Sequence, residues 1–353
     1  MNYTEVKFPG LGIDINVSPV AFRIGNFEVY WYGILIAAAM LLAIFLAVKD
    51  SKKLKVPTSL VYDFILVAIP CGVIGARLYF VIFNWAYYSE DFSRIIDTRS
   101  GGLAIYGGII GAAIGLYIMC KIRKISFTAL IDFALVYVPL AQAIGRWGNF
   151  FNQEAFGTTT NLPWGMTSST VSAYLSSHCP TLDPSAPVHP TFLYESIADL
   201  ILFIVLVIVR KRSKFAFETA CVYFAGYGFA RFFIEGLRTD SLYIPGTSLR
   251  VSQLLSLVLC LAAICYIIYI HAKRIRRRKF PARLYAAEEA SSGKGSGKAA
   301  KKEEAAEESS VAKAEDAAEE AAVEAAEEKA EEKAEETAEE AETDKEDKDE
   351  ASE

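Results

Sequence analysis

The chain of 353 residues has only three histidines and six cysteines, and no two cysteines form a CxxC pair. Cys71, Cys120, Cys221, Cys260 and Cys265 lie in apolar runs, and only Cys179 lies in a polar stretch. That pattern argues against a disulfide framework or a zinc site, and inert buried thiols are expected. His178, His189 and His271 all lie outside the apolar runs or at their ends. An intramembrane serine protease, which needs a membrane histidine beside a GxSG-type serine, is therefore disfavoured. The last apolar run, 251–270, has no lysine for a retinal Schiff base. No ligand cluster for a metal or cofactor is visible, and none is expected. The flank before the first apolar run has neither a basic start nor a small-residue cleavage site, so no signal peptide is expected there.

A second scarcity divides the chain. Residues 286–353 have almost no Val, Ile, Leu or aromatic residue, with 9 Lys against 26 Asp+Glu. Such a segment cannot bury enough apolar surface to offset the entropy of ordering. Its repeats, as in AEEKAEEKAEETAEEAE, predict transient helix in a disordered acidic tail. Residues 1–285 instead hold 27 Lys+Arg and 16 Asp+Glu. The expected domains are a membrane body, 1–285, and a tail, 286–353. No nucleic-acid partner is expected.

What is abundant is apolar sequence. A bilayer span needs about 20 mainly apolar residues. Seven segments qualify: roughly 28–48, 59–83, 103–120, 126–145, 191–209, 216–237 and 251–270. The expected fold class is all-α, a polytopic membrane helix bundle. Lys and Arg cluster after the first, third, fifth and seventh segments, from Lys49 to Lys55, Lys121 to Lys124, Arg210 to Lys214, and Lys273 to Lys279. By the positive-inside rule those ends face the cytoplasm. The N-terminus is then outside, the C-terminus inside, and 146–190 is a long outer loop forming a small cap.

Charged residues inside a span mark a functional site by default. On this topology Arg77, Arg146, Arg231, Glu235 and Arg238 converge on the outer half of the bilayer. Tyr32, Tyr106, Tyr194, Glu195 and Gln253 join them. Tyr227, Arg231, Glu235 and Arg238 follow one another at intervals that put them on one helix face. A structural Arg231–Glu235 pair explains two of these residues. The excess arginine suggests a bound anion, since the planar guanidinium suits phosphate. Outer headgroup depth suggests a phospholipid. Asp63, Asp132 and Asp199 lie outside this layer, and helix capping or interhelical hydrogen bonding is expected of them. The glycines from Gly101 to Gly115 suit close helix packing or a ligand's approach to the backbone.

Gly145-Arg146-Trp147-Gly148-Asn149-Phe150-Phe151-Asn152-Gln153-Glu154-Ala155-Phe156-Gly157 is the most specific stretch. It resembles the GRxGNFxNxExxG signature of the prolipoprotein diacylglyceryl transferases. Trp31-Tyr32-Gly33 resembles that family's first-span motif, and His189-Pro190-Thr191-Phe192-Leu193-Tyr194-Glu195 its HPxxLYE. The run from Tyr227 to Arg238 resembles YGxxRFxxExxR. Ser252-Gln253 resembles the closing SxGQ element without its glycine. The resemblance covers roughly 20–270. One departure is Tyr106, where many members carry a histidine proposed as a base. A phenol, with a reference pKa near 10, is a poor base at neutral pH, so Tyr106 is expected to position rather than deprotonate.

The resemblance implies transfer of a diacylglyceryl group from phosphatidylglycerol to the lipobox cysteine of a prolipoprotein, in the cytoplasmic membrane among its lipids. Arg146 and Arg231 are expected on the phosphate, with Asn149 and Asn152 orienting the headgroup or the loop. Glu154 or Glu235 would orient an arginine, and either is a candidate to relay the thiol proton. Tyr32, Tyr106 and Tyr194 would line the pocket, with Gly157, Tyr227, Arg238 and Gln253 among the lipid-binding positions. The competing reading is a transporter or channel for an anionic lipid or solute. That reading wants polar residues through both leaflets.

Overall fold

The computed structural model describes residues 3–273, except 98–100, 214, 216 and 245. The expected tail, 286–353, lies outside the described residues. Ten helices carry the body: α1 Trp31–Lys53, α2 Thr58–Phe83, α3 Trp85–Tyr88, α4 Ile105–Ile122, α5 Phe127–Ala134, α6 Val138–Asn152, α7 Ser169–His178, α8 Thr191–Arg212, α9 Glu218–Leu237 and α10 Val251–Ala272. Five of them, α1, α2, α4, α8 and α10, are long and apolar enough to cross a membrane, and the bent pair α5–α6 would make a sixth. The protein is a mostly helical, polytopic membrane protein. The expected sixth segment, 216–237, is α9; it has the length but carries Glu218, Arg231 and Glu235, so by composition it does not count among the apolar helices.

The expected span 126–145 is a broken one. Helix α5 stops at Ala134 and α6 departs at 47° to it. Pro139, in the first turn of α6, explains the restart: its missing N–H is an orphan there and its fixed φ suits a helix start. Helix α6 then runs on to Asn152, so Arg146, Asn149 and Asn152 are helical.

The glycines of α4 serve helix packing. A Cβ on Gly111 would lie 2.9 Å from the Gly75 Cα, and one on Gly75 would lie 2.8 Å from the Gly111 Cα. Backbone meets backbone there, leaving no room for a ligand.

A small β part departs from the all-α expectation. Strands β1 Thr4–Phe8, β2 Ile13–Val17, β3 Val20–Ile24 and β4 Phe27–Tyr30 precede α1, and β5 is Thr167–Ser168. One sheet has the order β2-β1-β5, and β3 pairs with β4. All of these pairings are antiparallel. The alternation in Thr4-Glu5-Val6-Lys7-Phe8 turns Val6 into a buried cluster with Phe156, Met166, Val171, Leu175 and Val188. The stretch 146–190, expected as a cap, therefore has a packed apolar core that the N-terminal residues complete.

Beyond the cap, charged side chains tie helix ends together. Arg210 reaches Asp50 at 2.6 Å, and the Tyr137 hydroxyl donates to the same carboxylate at 2.9 Å. Asp63 pairs with Arg123 at 2.6 Å. Asp132 accepts from the Phe217 and Ala220 backbone N–H groups at 2.7 and 2.9 Å, capping the start of α9 as expected.

Candidate active site

Three helices bring the central charges together. Glu195, in the second turn of α8, receives Arg146 from α6 and Arg231 from α9. It forms an ion pair with Arg146, and Arg231 Nη1 reaches Glu195 Oε2 at 2.7 Å. The Tyr227 hydroxyl donates to Glu195 Oε1 at 3.4 Å. Arg231 Nη2 also lies 2.7 Å from Glu235 Oε2, one turn on. That contact lacks hydrogen-bond geometry, because Glu235 Oε2 has no hydrogen-bond partner among the described residues. It is a charge contact rather than a directional bond. The spacing of Tyr227, Arg231, Glu235 and Arg238 predicted one shared face; the first three meet around Glu195, but α9 ends at Leu237 and Arg238, extended beyond it, turns to Asp240 instead.

Sequence reasoning placed Glu195 in the polar layer but gave it no catalytic or binding role, although it sits at the centre. Its signal was present: an acidic residue early in a mainly apolar span, in the HPxxLYE run. Exposure orders the cluster from its buried to its open side. The Glu195 side chain is 4% exposed, whereas Arg146 is 21% and Arg231 14%. The carboxylate is the buried floor and the guanidinium groups rise from it. The four groups Arg146, Arg231, Glu195 and Glu235 balance in charge. An arriving phosphate would exchange with a carboxylate at a guanidinium edge, like for like. One turn below Glu195, Asp199 is buried and its Oδ2 has no hydrogen-bond partner among the described residues. The bond expected of Asp199 is therefore not made by that oxygen.

The signature stretch leaves α6 by a sharp turn. Gln153 and Ala155 take left-handed backbone conformations at φ 53° and 58°. Arg146 Nη1 donates to Asn149 Oδ1 at 3.4 Å. Asn149 and Asn152 both donate to Glu154 Oε1, at 2.9 and 3.2 Å. Glu154 thus fixes two amides, one of which touches Arg146, and it stays exposed. Gly157 is where three segments meet. Its N–H donates to the His189 carbonyl at 2.9 Å, and its backbone bridges to Arg238. A Cβ there would lie 2.8 Å from the His189 Cβ, so only glycine permits the crossing.

Other expected residues have definite partners. The Tyr32 ring packs on Gly148 of α6, where a Cβ would collide with it. The Trp164 indole donates to the Tyr194 hydroxyl at 2.7 Å, and that hydroxyl lies 3.1 Å from His189 Nδ1. Burial holds the His189 pKa below its ordinary value, which suits an unprotonated Nδ1 accepting from Tyr194. Arg238 grips Asp240 through Nε at 2.9 Å and Nη2 at 2.7 Å. Gln253 donates to the Phe232 carbonyl at 3.1 Å, and Arg250 to the Glu235 carbonyl. Both satisfy acceptors in the last turns of α9. The Tyr106 hydroxyl lies 3.4 Å from Ser252 Oγ, linking α4 to α10.

Arg77 corrects the picture of one anion-binding layer. Its Nε donates to the Ile95 carbonyl at 2.8 Å. Nη1 donates to Gly101 and Gly102 at 2.9 and 2.8 Å, and Nη2 to Arg94 and Asp97 at 2.6 Å each. All five guanidinium hydrogens are used by backbone, and Tyr88 stacks against the group. Arg77 fastens the segment between α2 and α4. Among the described residues, no three His, Cys, Asp or Glu side chains are grouped to hold a metal ion.

The chain is similar to known proteins over most of its described length. A family model described as prolipoprotein diacylglyceryl transferase matches residues 19–269. The phosphatidylglycerol–prolipoprotein diacylglyceryl transferase of Finegoldia magna is 46% identical over 246 residues, covering 69% of this chain and 92% of that protein. The protein of the same name from Clostridioides difficile is 44% identical over 254 residues, 72% of this chain and 96% of its own length. That of Enterococcus faecalis is 42% identical over 281 residues, 77% of this chain and 95% of its own.

Proposed function

The chain belongs to the prolipoprotein diacylglyceryl transferase family, and we propose that the cluster around Glu195 is where it moves a diacylglyceryl group from phosphatidylglycerol onto a prolipoprotein cysteine. The observation that carries this reading is the pair of arginines, from α6 and α9, held side by side on one buried carboxylate. Two guanidinium groups preorganised in a low-dielectric site stabilise charge where it develops. That electrostatic contribution is usually the largest in catalysis.

The step is a displacement at carbon. The lipobox thiolate attacks the glyceryl carbon bearing the phosphate ester. The new C–S bond forms as the C–O bond breaks, and glycerol-1-phosphate leaves with the electron pair. Only the thiolate is a good nucleophile, so the thiol proton must go elsewhere. Glu154 receives it, being an exposed carboxylate already fixed beside Arg146 by Asn149. Arg146 and Arg231 neutralise the departing phosphate, while Glu195 sets their directions and Glu235 keeps a compensating charge beside Arg231. Tyr32, Tyr106, Tyr194, Tyr227 and Gly157 shape the surroundings, and Asn152, Arg238 and Gln253 hold the segments that bear them. The finer topology belongs to the same proposal. It has seven spans in the cytoplasmic membrane, with the cap outside, the basic helix ends inside, and 286–353 as a cytoplasmic tail apart from the machinery.

The test is to incubate the purified protein with phosphatidylglycerol and a lipobox peptide. A peptide mass gain of one diacylglyceryl group with matching glycerol phosphate release supports the reading. Glycerol phosphate release without a modified peptide would overturn it. Truncation after Tyr285 should leave turnover near that of the full chain. A large loss at unchanged expression would give the tail a part in the reaction.

A further inference from the structure

After Asp199, α8 holds only apolar residues until Arg210. Leu202 and Leu206, further along the same face, are buried in an apolar core with Phe133 and Val136. Asp199 is therefore a carboxyl at the bottom of the polar site, 2% exposed. Its neighbours leave it without a donor. Ser196 gives its hydroxyl hydrogen to the Ala143 carbonyl of α6 at 2.9 Å. From α9, the Tyr223 hydroxyl donates to Gln142 Oε1 at 3.2 Å and the Tyr227 hydroxyl to Glu195, and each phenol has one hydrogen to give. The charged groups that act on Asp199 are Glu195 on its own helix, Arg146 from α6 and Arg231 from α9. Both guanidinium groups are paired with Glu195. Asp199 Oδ2 consequently has no hydrogen-bond partner among the described residues.

An ionised Asp199 would be a surplus negative charge, because Glu195 and Glu235 already balance Arg146 and Arg231. Burying a charge without a partner costs far more than burying a neutral acid. A neutral acid also has a hydrogen to donate. The acceptor one turn away on the same face is Glu195. The need for that donor arises when a phosphate takes over the guanidinium edges. Glu195, itself buried, then loses both cations at once. Unless a donor replaces them, it stands as an unpaired charge in a low-dielectric site.

We propose that Asp199 is a positioning residue of the transfer: as a neutral acid it donates its O–H to Glu195 when the phosphate takes Arg146 and Arg231, and so holds the displaced carboxylate. The proton stays between the two carboxyls, and no covalent bond forms or breaks there. Glu195 returns to the arginines when glycerol phosphate leaves. The proposal rests on the phosphate assignment above and adds what becomes of the charge that the phosphate displaces.

The experiment uses the full chain in lipid nanodiscs, with aspartate isotope-labelled at its side-chain carboxyl. Infrared spectra, assigned by comparison with Asp199→Asn, should show the carbonyl stretch of a neutral acid from Asp199. Glycerol-1-phosphate, which has no carbonyl group of its own, should move that band to lower frequency as the O–H engages a carboxylate. An ionised Asp199 overturns the proposal. So does a neutral band that stays in place while calorimetry shows glycerol phosphate binding, and that outcome leaves the phosphate assignment standing. Absence of binding overturns both.

Kinetics separate positioning from packing. Asp199→Leu removes an unmatched buried oxygen, so thermal unfolding should be unchanged or raised. KM for phosphatidylglycerol should nevertheless rise about tenfold, the loss of one hydrogen bond to a charged group, with kcat changed less than about threefold. Asp199→Asn keeps a donor and should hold KM within about threefold of the parent. In a Glu195→Gln background no displaced charge remains, so Asp199→Leu should change KM less than about twofold. If Asp199→Leu fails to fold, Asp199→Ala carries the same comparison. An equal rise in KM in both backgrounds overturns the proposal, as does Asp199→Asn proving as poor as Asp199→Leu.

Discussion

Arg77 and Arg231 lie in helices α2 and α9, and the sequence led to both being expected in one headgroup layer. Arg77 spends every guanidinium hydrogen on backbone carbonyls. Among the described residues, Arg231 pairs with the carboxylates of Glu195 and Glu235. A ring of carbonyls is part of the chain and cannot leave, so Arg77 is locked. A carboxylate is chemically close to a phosphate oxygen pair, and a guanidinium can exchange one for the other. The same residue type is therefore a fastener in one region and, on the function proposed above, a ligand-binding group in the other, and the partner decides which.

The largest expected effect breaks the fastener. Arg77→Ala should strip five carbonyls of their donor and cost on the order of 3–5 kcal/mol of stability, as when one partner of a buried charged network is removed. Thermal unfolding and membrane accumulation should both fall, and phosphatidylglycerol should not restore them. A stable Arg77→Ala protein that fails only in turnover would move Arg77 into the site.

Arg231→Lys sharpens the other half. It keeps the charge but loses the planar fork. Turnover should fall by on the order of 2–4 kcal/mol in transition-state stabilisation, by analogy with losing one oxyanion donor, while thermal unfolding changes little. The double change Arg231→Leu with Glu235→Leu should fold, since apolar replacement of a buried pair is often tolerated, and it should be inactive. An active double variant would reduce Arg231 to a structural partner of Glu235.

Glu195→Gln tests whether the floor competes with the phosphate. Removing its charge leaves Arg146 and Arg231 less neutralised, so the lipid should bind more tightly and KM should fall severalfold. Turnover should drop about tenfold because the two forks lose their charged anchor, on the order of 1.4 kcal/mol. A rise in KM with unchanged kcat would contradict competition. The smallest effect is expected of Tyr106→His. Tyr106 lies against Ser252 and holds α4 to α10, so the rate should change less than about threefold, with no new pH dependence near the imidazole reference value of about 6.5. A large gain in rate with such a dependence would make the position a proton carrier.

Apolar periodicity located the long helices to within a few residues at most ends, because a helix that faces hydrocarbon has to be apolar along its whole length. It also marked α9 as the helix whose polar face must be turned inward. The strands before α1 were missed. They are short and largely exposed, and β1 and β2 are held by β5 and a core more than 130 residues further on, which no local pattern reports. The break between α5 and α6 was equally hidden, since both halves are apolar and only Pro139 marks the restart.

At the site, sequence alone determined which residue types are present: arginines and carboxylates within apolar helices, where burying a charge requires a partner. Tertiary structure decided the pairing. Glu195 could have served Arg231, Arg146, neither or both, and helix spacing within α8 is silent on that choice. The packing of α8 against both α6 and α9 brings the two arginines onto one carboxylate, while the segment between α2 and α4 folds back to enclose Arg77 in carbonyls. Charge in a low-dielectric interior takes the partner that geometry brings within about 3 Å, and that distance is a property of the packed helices.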